Sequence, residues 1–323
     1  MTNEERLWHS ATSKARRNIG FFWRELFWDN QRDEQEVEFA AVLFEYKEDN
    51  HGVVVTERVW LADMNCDGLN VTGTVLSEPQ HLLQVQRGQQ CTVPIKEIED
   101  WMYVINRRVY GAYTINVQRS RMDPAQRRRH DIQWGYAFGD PLNIQRYPDI
   151  HAVEEEEVPE IDTDQDNEPS KFLGMTIAPQ KNDGEPTKFF GMTIGGKEQE
   201  GDEQKKKRVG YKNLSDEQLE AINQRFDHPE AIINQEMFFT YYRNNPAILS
   251  QWDEQGLMPI HAHTLAGNRH IVRLLLELGV SPSMKTYDGR TSKDIAKVMN
   301  WVNIVSMLAS AERGQLPPAE ASH

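Results

Sequence analysis

Residues 151–204 divide the chain. They hold fifteen Asp and Glu against four Lys, so −11 of the net charge of −14 falls in one sixth of 323 residues. Too few apolar residues lie here to offset the entropy of ordering a backbone, and 151–210 reads as an acidic, largely flexible linker. Folded structure is therefore expected on either side, in a front unit at 1–150 and a rear unit at 211–313, with a disordered tail at 314–323. Such a linker repels nucleic acid and membrane surfaces and attracts a basic protein. The expected partner is another protein, with neither nucleic acid nor membrane involved.

One apolar word occurs twice inside the linker, as KFLGMTI at 171–177 and KFFGMTI at 188–194. Its residues favour strands and carry little charge. Phe172, Phe189, Phe190 and Met192 are thus candidate partner-binding residues, each word able to add as a strand to an exposed sheet edge. Two other readings stand beside this one. The words pair with each other across Asn182-Asp183-Gly184, or they are a duplication without a role.

Two cysteines, Cys66 and Cys91, make neither a disulfide framework nor a metal cluster. The first twenty residues lack the apolar core of a signal peptide, and no apolar run approaches the ~18 residues of a membrane span. The expectation is a cytoplasmic protein with no cofactor and no metal.

The front unit reads as α+β. Residues 4–18 suit a short basic helix. Alternation marks strands at 37–46, 51–64 and 69–76. KEIEDWMYV suits one or two helical turns, and VYGAYTINV a last strand in which Gly111 marks a bulge or a close backbone approach. Residues 120–150 read as irregular, with Arg119, Arg121, Arg127, Arg128 and Arg129 forming a basic run that pairs with its own acidic neighbours.

From 211 the spacing becomes helical, with Ser215 capping a helix over 214–226. In 256–309 the residues Gly256, Pro259, Ile260, His261, Ala266 and Gly267, the helix ending at Gly279, and a restart at Asp288-Gly289 resemble ankyrin repeats. The resemblance implies an all-α stack of about 2–3.5 repeats, capped by the 214–226 helix and the end near 310. Met258 and His263 depart from the repeat pattern, standing where Thr and Ala are usual. The implied contacts to a protein partner are the hairpin-tip residues Glu254, Gln255, Leu257, Lys285, Tyr287 and Arg290. His261, His263 and His270 invite a zinc site, but the repeat already accounts for His261, and no metal is expected.

The front block is similar to a widespread family of small bacterial domains of unknown function. The matching residues are Gly88, Val93, Pro94, Ile98, Asp100, Trp101, Met102, Tyr103, Gly111, Tyr113 and Thr114, and FFWRELFW (21–28) fits that family's aromatic first strand. The resemblance implies a curved antiparallel sheet and no established reaction.

No motif for nucleophilic or phosphate chemistry appears. Asp100 beside Trp101 offers a general acid for a hydrolase, yet a carboxylate capping a helix or holding a turn accounts for it better, and no catalytic residue is assigned. By analogy with bacterial ankyrin proteins, the expected role is that of an immunity protein neutralising a secreted antibacterial toxin. A scaffold, adaptor or effector chaperone is the alternative.

Overall fold

A computed structural model describes residues 2–32, 34–148, 171–172, 175–176 and 228–316. The chain forms two units. The first comprises residues 1–22 and 36–185, the second 23–35 and 186–323. Residues 23–35 belong to the second unit, whereas the front unit was expected to span 1–150 without a break.

The first unit opens with helix α1 (Asn3–Asp29), whose residues up to Phe22 belong to it. This helix absorbs the FFWRELFW stretch expected as a strand. Its apolar residues recur at helical spacing, so Ala11, Ala15, Ile19 and Phe22 are all buried.

The sheet follows, with strands β1 (Val37–Asn50), β2 (Val53–Cys66), β3 (Asn70–Val75), β4 (Gln90–Pro94), β5 (Ile98–Ile105) and β6 (Arg108–Gly111). All pairings are antiparallel, in the order β4-β3-β2-β1-β5-β6. Two-residue turns close two of the hairpins. His51 and Gly52 take φ of 54° and 87°, and Asn106 and Arg107 take 49° and 59°, the left-handed pairs that match strand twist.

The expected helix at KEIEDWMYV is a strand, preceded only by a single 3-10 turn at Ile95–Glu97. Trp101 and Tyr103 point to one face, stacked with ring centroids 6.2 Å apart, and Phe22 of α1 lies 5.8 Å from Trp101. The Trp101 indole donates to the Ala15 carbonyl at 2.8 Å. Met102 and Val104 point the other way, into a cluster with Ile115, Trp134 and Phe138.

Those three residues belong to the segment beyond β6. VYGAYTINV splits into strand β6 and helix α2 (Tyr113–Arg119), and the expected irregular stretch contains helix α3 (Pro124–Trp134). Asp123 and Gln126 form a reciprocal capping box at the start of α3, with Pro124 at the first helical position. Of the basic run, Arg119 is buried and forks onto Asp131 at 2.8 and 3.0 Å.

Within the linker, β7 (Lys171–Phe172) pairs with β8 (Met175–Thr176). The first word thus folds back on itself, whereas a hairpin between the two words was one of the expected readings. The second word lies outside the described residues, as do most of the linker, the expected 214–226 helix and 317–323 of the tail.

The second unit is helical: α4 (Pro229–Ile233), α5 (Gln235–Asn244), a 3-10 turn at Pro246–Ser250, α6 (Pro259–Leu265), α7 (Arg269–Glu277), α8 (Ser292–Val298) and α9 (Val302–Glu312). Two halves of this region repeat at an offset of 33 residues. Helices α6 and α8 start at 259 and 292, and α7 and α9 at 269 and 302.

The backbone bonds repeat too. Asp253 N–H donates to the Leu257 carbonyl and Thr286 N–H to that of Arg290, both at 2.8 Å. Asn268 N–H donates to His263 and Trp301 N–H to Ala296, at 2.9 and 2.8 Å. The Trp301 ring then lies on Gly267 (φ 71°), where a Cβ would meet it at 2.5 Å, and the Trp301 indole donates to the Leu265 carbonyl.

The last turns of α1 complete this unit's core. Trp28 is fully buried among Ala231, Phe238, Ile271 and Leu275, with its indole N–H 3.0 Å from Asn268 Oδ1. Around it, Arg32 bridges Glu25, Asp29 and Glu230 at 2.7–3.2 Å, and His228 lies 3.3 Å from Glu25. Burial alone pushes the Glu25 carboxyl up, but His228 and Arg32 outweigh it and hold it down at about 2.

Trp28→Ala is expected to cost about 3–5 kcal/mol through the cavity it leaves, lowering the thermal midpoint of the rear unit. Trp28→Phe, which keeps an aromatic ring but orphans Asn268 Oδ1, is expected to cost about 1–3 kcal/mol. Unfolding curves indistinguishable from wild type for both would show that the segment is not part of this core.

Candidate functional site

Three arrangements hold the polar groups singled out in the sequence. The first is Asp100, on β5. Its Oδ1 accepts from Trp101 N–H and Tyr113 N–H at 2.8 and 3.0 Å. Oδ2 accepts from Thr114 N–H at 2.6 Å and from the Thr114 hydroxyl at 2.5 Å. Three of these donors lie at the start of α2, whose own N-cap residue, Ala112, contributes no side chain and sits at φ 56°. Asp100 thus caps α2 from across the sheet.

The approach is tight, because a Cβ on Gly111 would lie 2.4 Å from the Trp101 carbonyl oxygen, and Gly111 itself has φ 82°. The close backbone approach expected at Gly111 is therefore present. Burial raises the Asp100 carboxyl to about 6, against the pull of its four donors. A carboxylate with no exposed surface and both oxygens bound is built to hold a helix start.

The second arrangement is a buried chain in the rear unit. Asn268 donates to His263 Nδ1 at 3.2 Å, leaving Nε2–H to donate to the Tyr242 hydroxyl at 2.9 Å. With Trp28 on Asn268 Oδ1, four side chains form one row. Burial holds the His263 imidazole down at about 3, so it is neutral. His261 accepts from Met258 N–H through Nδ1, and its Nε2 donates to the Met284 carbonyl at 3.0 Å, tying one half of the repeat to the next. Both nitrogens of each ring are thereby engaged, and among the described residues no group of three or more His, Cys, Asp or Glu is placed to hold a metal.

The third is the pair of turns preceding α6 and α8. Of the six residues expected there as partner contacts, Glu254, Lys285 and Tyr287 are exposed, and Gln255 and Arg290 are half-buried. Leu257 is only 1% exposed, so its expected role as a surface contact is corrected: it is a core residue, drawn inward by Asp253 Oδ1, which accepts Leu257 N–H at 2.8 Å.

Trp252, not among the expected contacts, stands in its place. It is 52% exposed and meets Tyr287, 79% exposed, edge to face at a centroid distance of 5.8 Å. The Trp252 indole donates to the Lys285 carbonyl at 3.3 Å, and Tyr287 N–H to the Gly256 carbonyl at 2.9 Å. Arg290 Nε is held on Asp288 at 2.7 Å. Of the linker candidates, Phe172 lies on β7, while Phe189, Phe190 and Met192 lie outside the described residues. The signal for Trp252 was an aromatic in an otherwise polar turn, QWDEQG.

Residues 5–138 match the family described as "Uncharacterized protein conserved in bacteria (DUF2314)", which covers the front block expected to resemble a bacterial family of unknown function. The chain is 28% identical over 298 residues, 92% of its length and 91% of the relative's, to the "Putative ankyrin repeat protein NMB1133/NMB1171" of Neisseria meningitidis serogroup B (strain ATCC BAA-335 / MC58). It is 33% identical over 61 residues to the "Uncharacterized protein YegJ" of Escherichia coli (strain K12), 19% of this chain and 40% of that protein. No solved structure matches. Among the described residues no helix is long and apolar enough to cross a membrane.

The row through His263 has a consequence for acid stability. Its pKa is about 6.5 when unfolded and about 3 when folded, so below 6.5 the unfolded chain takes up a proton that the folded chain refuses. Stability is expected to fall between pH 6.5 and 4 by about 1.4 kcal/mol per pH unit from this residue. In His263→Ala that slope should shrink by about one proton. An unchanged slope by denaturant titration at pH 4, 5, 6 and 7 would contradict the assignment. Asp100→Asn, which sets an amide N–H₂ against backbone donors, is expected to cost about 1–3 kcal/mol, and wild-type stability would contradict the capping role.

Proposed function

We propose that the chain is a bacterial protein-binding module whose rear unit is a short ankyrin stack. The observation that carries this is the exact reuse of helix starts and turn hydrogen bonds at an offset of 33 residues, the period of ankyrin repeats. The relative that bears the ankyrin name, 28% identical across 91% of its length, supports the same reading. Repeats of this kind stack into an extended surface with turns along one side, and that geometry suits a protein ligand better than a small molecule.

Within that class the reading we favour is an immunity protein that binds and neutralises a secreted antibacterial toxin in the cytoplasm. Its support is the net charge of −14, suited to fast association with a basic toxin, together with a front unit of a bacterial family. The front unit's Asp100 acts as a helix cap in this reading, and no reaction is assigned to it.

Affinity capture from the native cell, followed by mass spectrometry, tests both levels. One dominant partner is expected, whose expression alone arrests growth and whose co-expression with this chain does not. Several harmless partners would leave a binding module but remove the immunity role. Absence of any stoichiometric partner would overturn the binding reading.

A further inference from the structure

From the two turns of the rear unit we infer that Trp252 and Tyr287 form a preformed receptor for an arginine side chain on a basic protein partner. This inference rests on the binding reading above and gives its partner a chemistry.

Trp252 and Tyr287 are the two exposed aromatic side chains among the described residues, and the turns that carry them are bonded to each other. Trp252 is fixed at its indole nitrogen by the Lys285 carbonyl. Tyr287 is fixed through its backbone N–H on the Gly256 carbonyl, and Gly256 (φ 74°) lets the two turns close, since a Cβ there would meet Tyr287 Cβ at 2.9 Å. The two bonds cross between the turns in both directions. Rigid, exposed aromatics bind at low entropic cost, which is why Trp and Tyr dominate the energetics of interfaces.

An edge-to-face pair leaves ring faces that the two residues do not cover for each other. The face of an aromatic ring is its negative side, and the guanidinium of arginine is planar and weakly hydrated, so it stacks there more readily than a lysine ammonium. The two turns together carry a small excess of negative charge, net −1. Asp253, Glu254 and Asp288 lie in the same two turns, against Lys285 and Arg290, and Arg290 is engaged by Asp288. Residues 151–204 carry −11 of the net −14, so a basic surface is drawn toward the chain as a whole before any contact forms, and the rings then select arginine by their faces.

The test uses the full chain and a short oligoarginine peptide, with oligolysine and oligoglutamate peptides of equal length beside it. Trp252→Ala and Tyr287→Ala are both exposed substitutions, and unchanged thermal midpoints confirm that the variants fold. Each is expected to weaken oligoarginine binding about 5-fold, oligolysine less, at physiological salt. The acidic linker also attracts the peptide, but equally in every variant, so the difference between variants reports the rings.

Oligoarginine bound equally by wild type and both variants, or not bound at all, would overturn the receptor. The natural partner, once captured, gives the second arm. If it binds Trp252→Ala and Tyr287→Ala as tightly as wild type, the receptor fails while the binding module stands. A failure to capture any partner counts against the module itself.

Discussion

The indole of Trp28 is the contact on which the rear unit depends. A stack of short helices has open ends, and each end exposes an apolar face that one helix pair cannot bury alone. Here the face lined by Phe238, Ile271 and Leu275 is closed by a segment numbered in the twenties. The indole N–H of Trp28 is answered by Asn268, Asn268 in turn by His263, and His263 by Tyr242. Removing any member of that row orphans the next, so the row behaves as one unit. His263 is the residue that carries the row from Asn268 to Tyr242.

In the front unit the corresponding constraint is the reversal from β6 into α2. Two residues with positive φ, Gly111 and Ala112, turn the chain against the face of Trp101. A helix of seven residues whose N-cap residue offers no side chain has little reason to form by itself. Asp100 supplies the missing acceptors from a neighbouring strand, and Trp101 beside it anchors α1 through the Ala15 carbonyl. One Asp-Trp pair therefore fixes elements on both faces of the sheet.

What could be read from the sequence follows from how local each cause is. Strands β1 to β3 were legible because their alternation is local, and the offset of 33 residues because it is written in Gly256 and Gly289. KEIEDWMYV was misread because Glu and Lys favour helices, while the alternation that decides the matter, Trp101 and Tyr103 against Met102 and Val104, shows only once both faces are known to be covered. FFWRELFW misled in the opposite sense, since aromatics favour strands until their three- and four-residue spacing is counted. Helix α2 carries strand-favouring Tyr, Thr, Ile and Val and is helical because of a carboxylate thirteen residues earlier. The start of α3 is written locally in Asp123, Pro124 and Gln126, a capping box legible in the sequence itself. At the candidate site, five of the six turn residues fell on the surface or half-way to it, Leu257 did not, and Trp252 was missed because exposure is a property of the turn's bonding, which residue type does not reveal.

The pairing of Trp28 with Asn268 joins residues 240 apart in sequence. A ribosome adding roughly 5–20 residues per second needs about 10–50 s to span that distance. During that interval the nascent chain carries Phe27 and Trp28 without the face that buries them. The rear unit is thus begun early in synthesis and finished only near its end, and its aromatic plug must be kept from other apolar surfaces while the remainder is made.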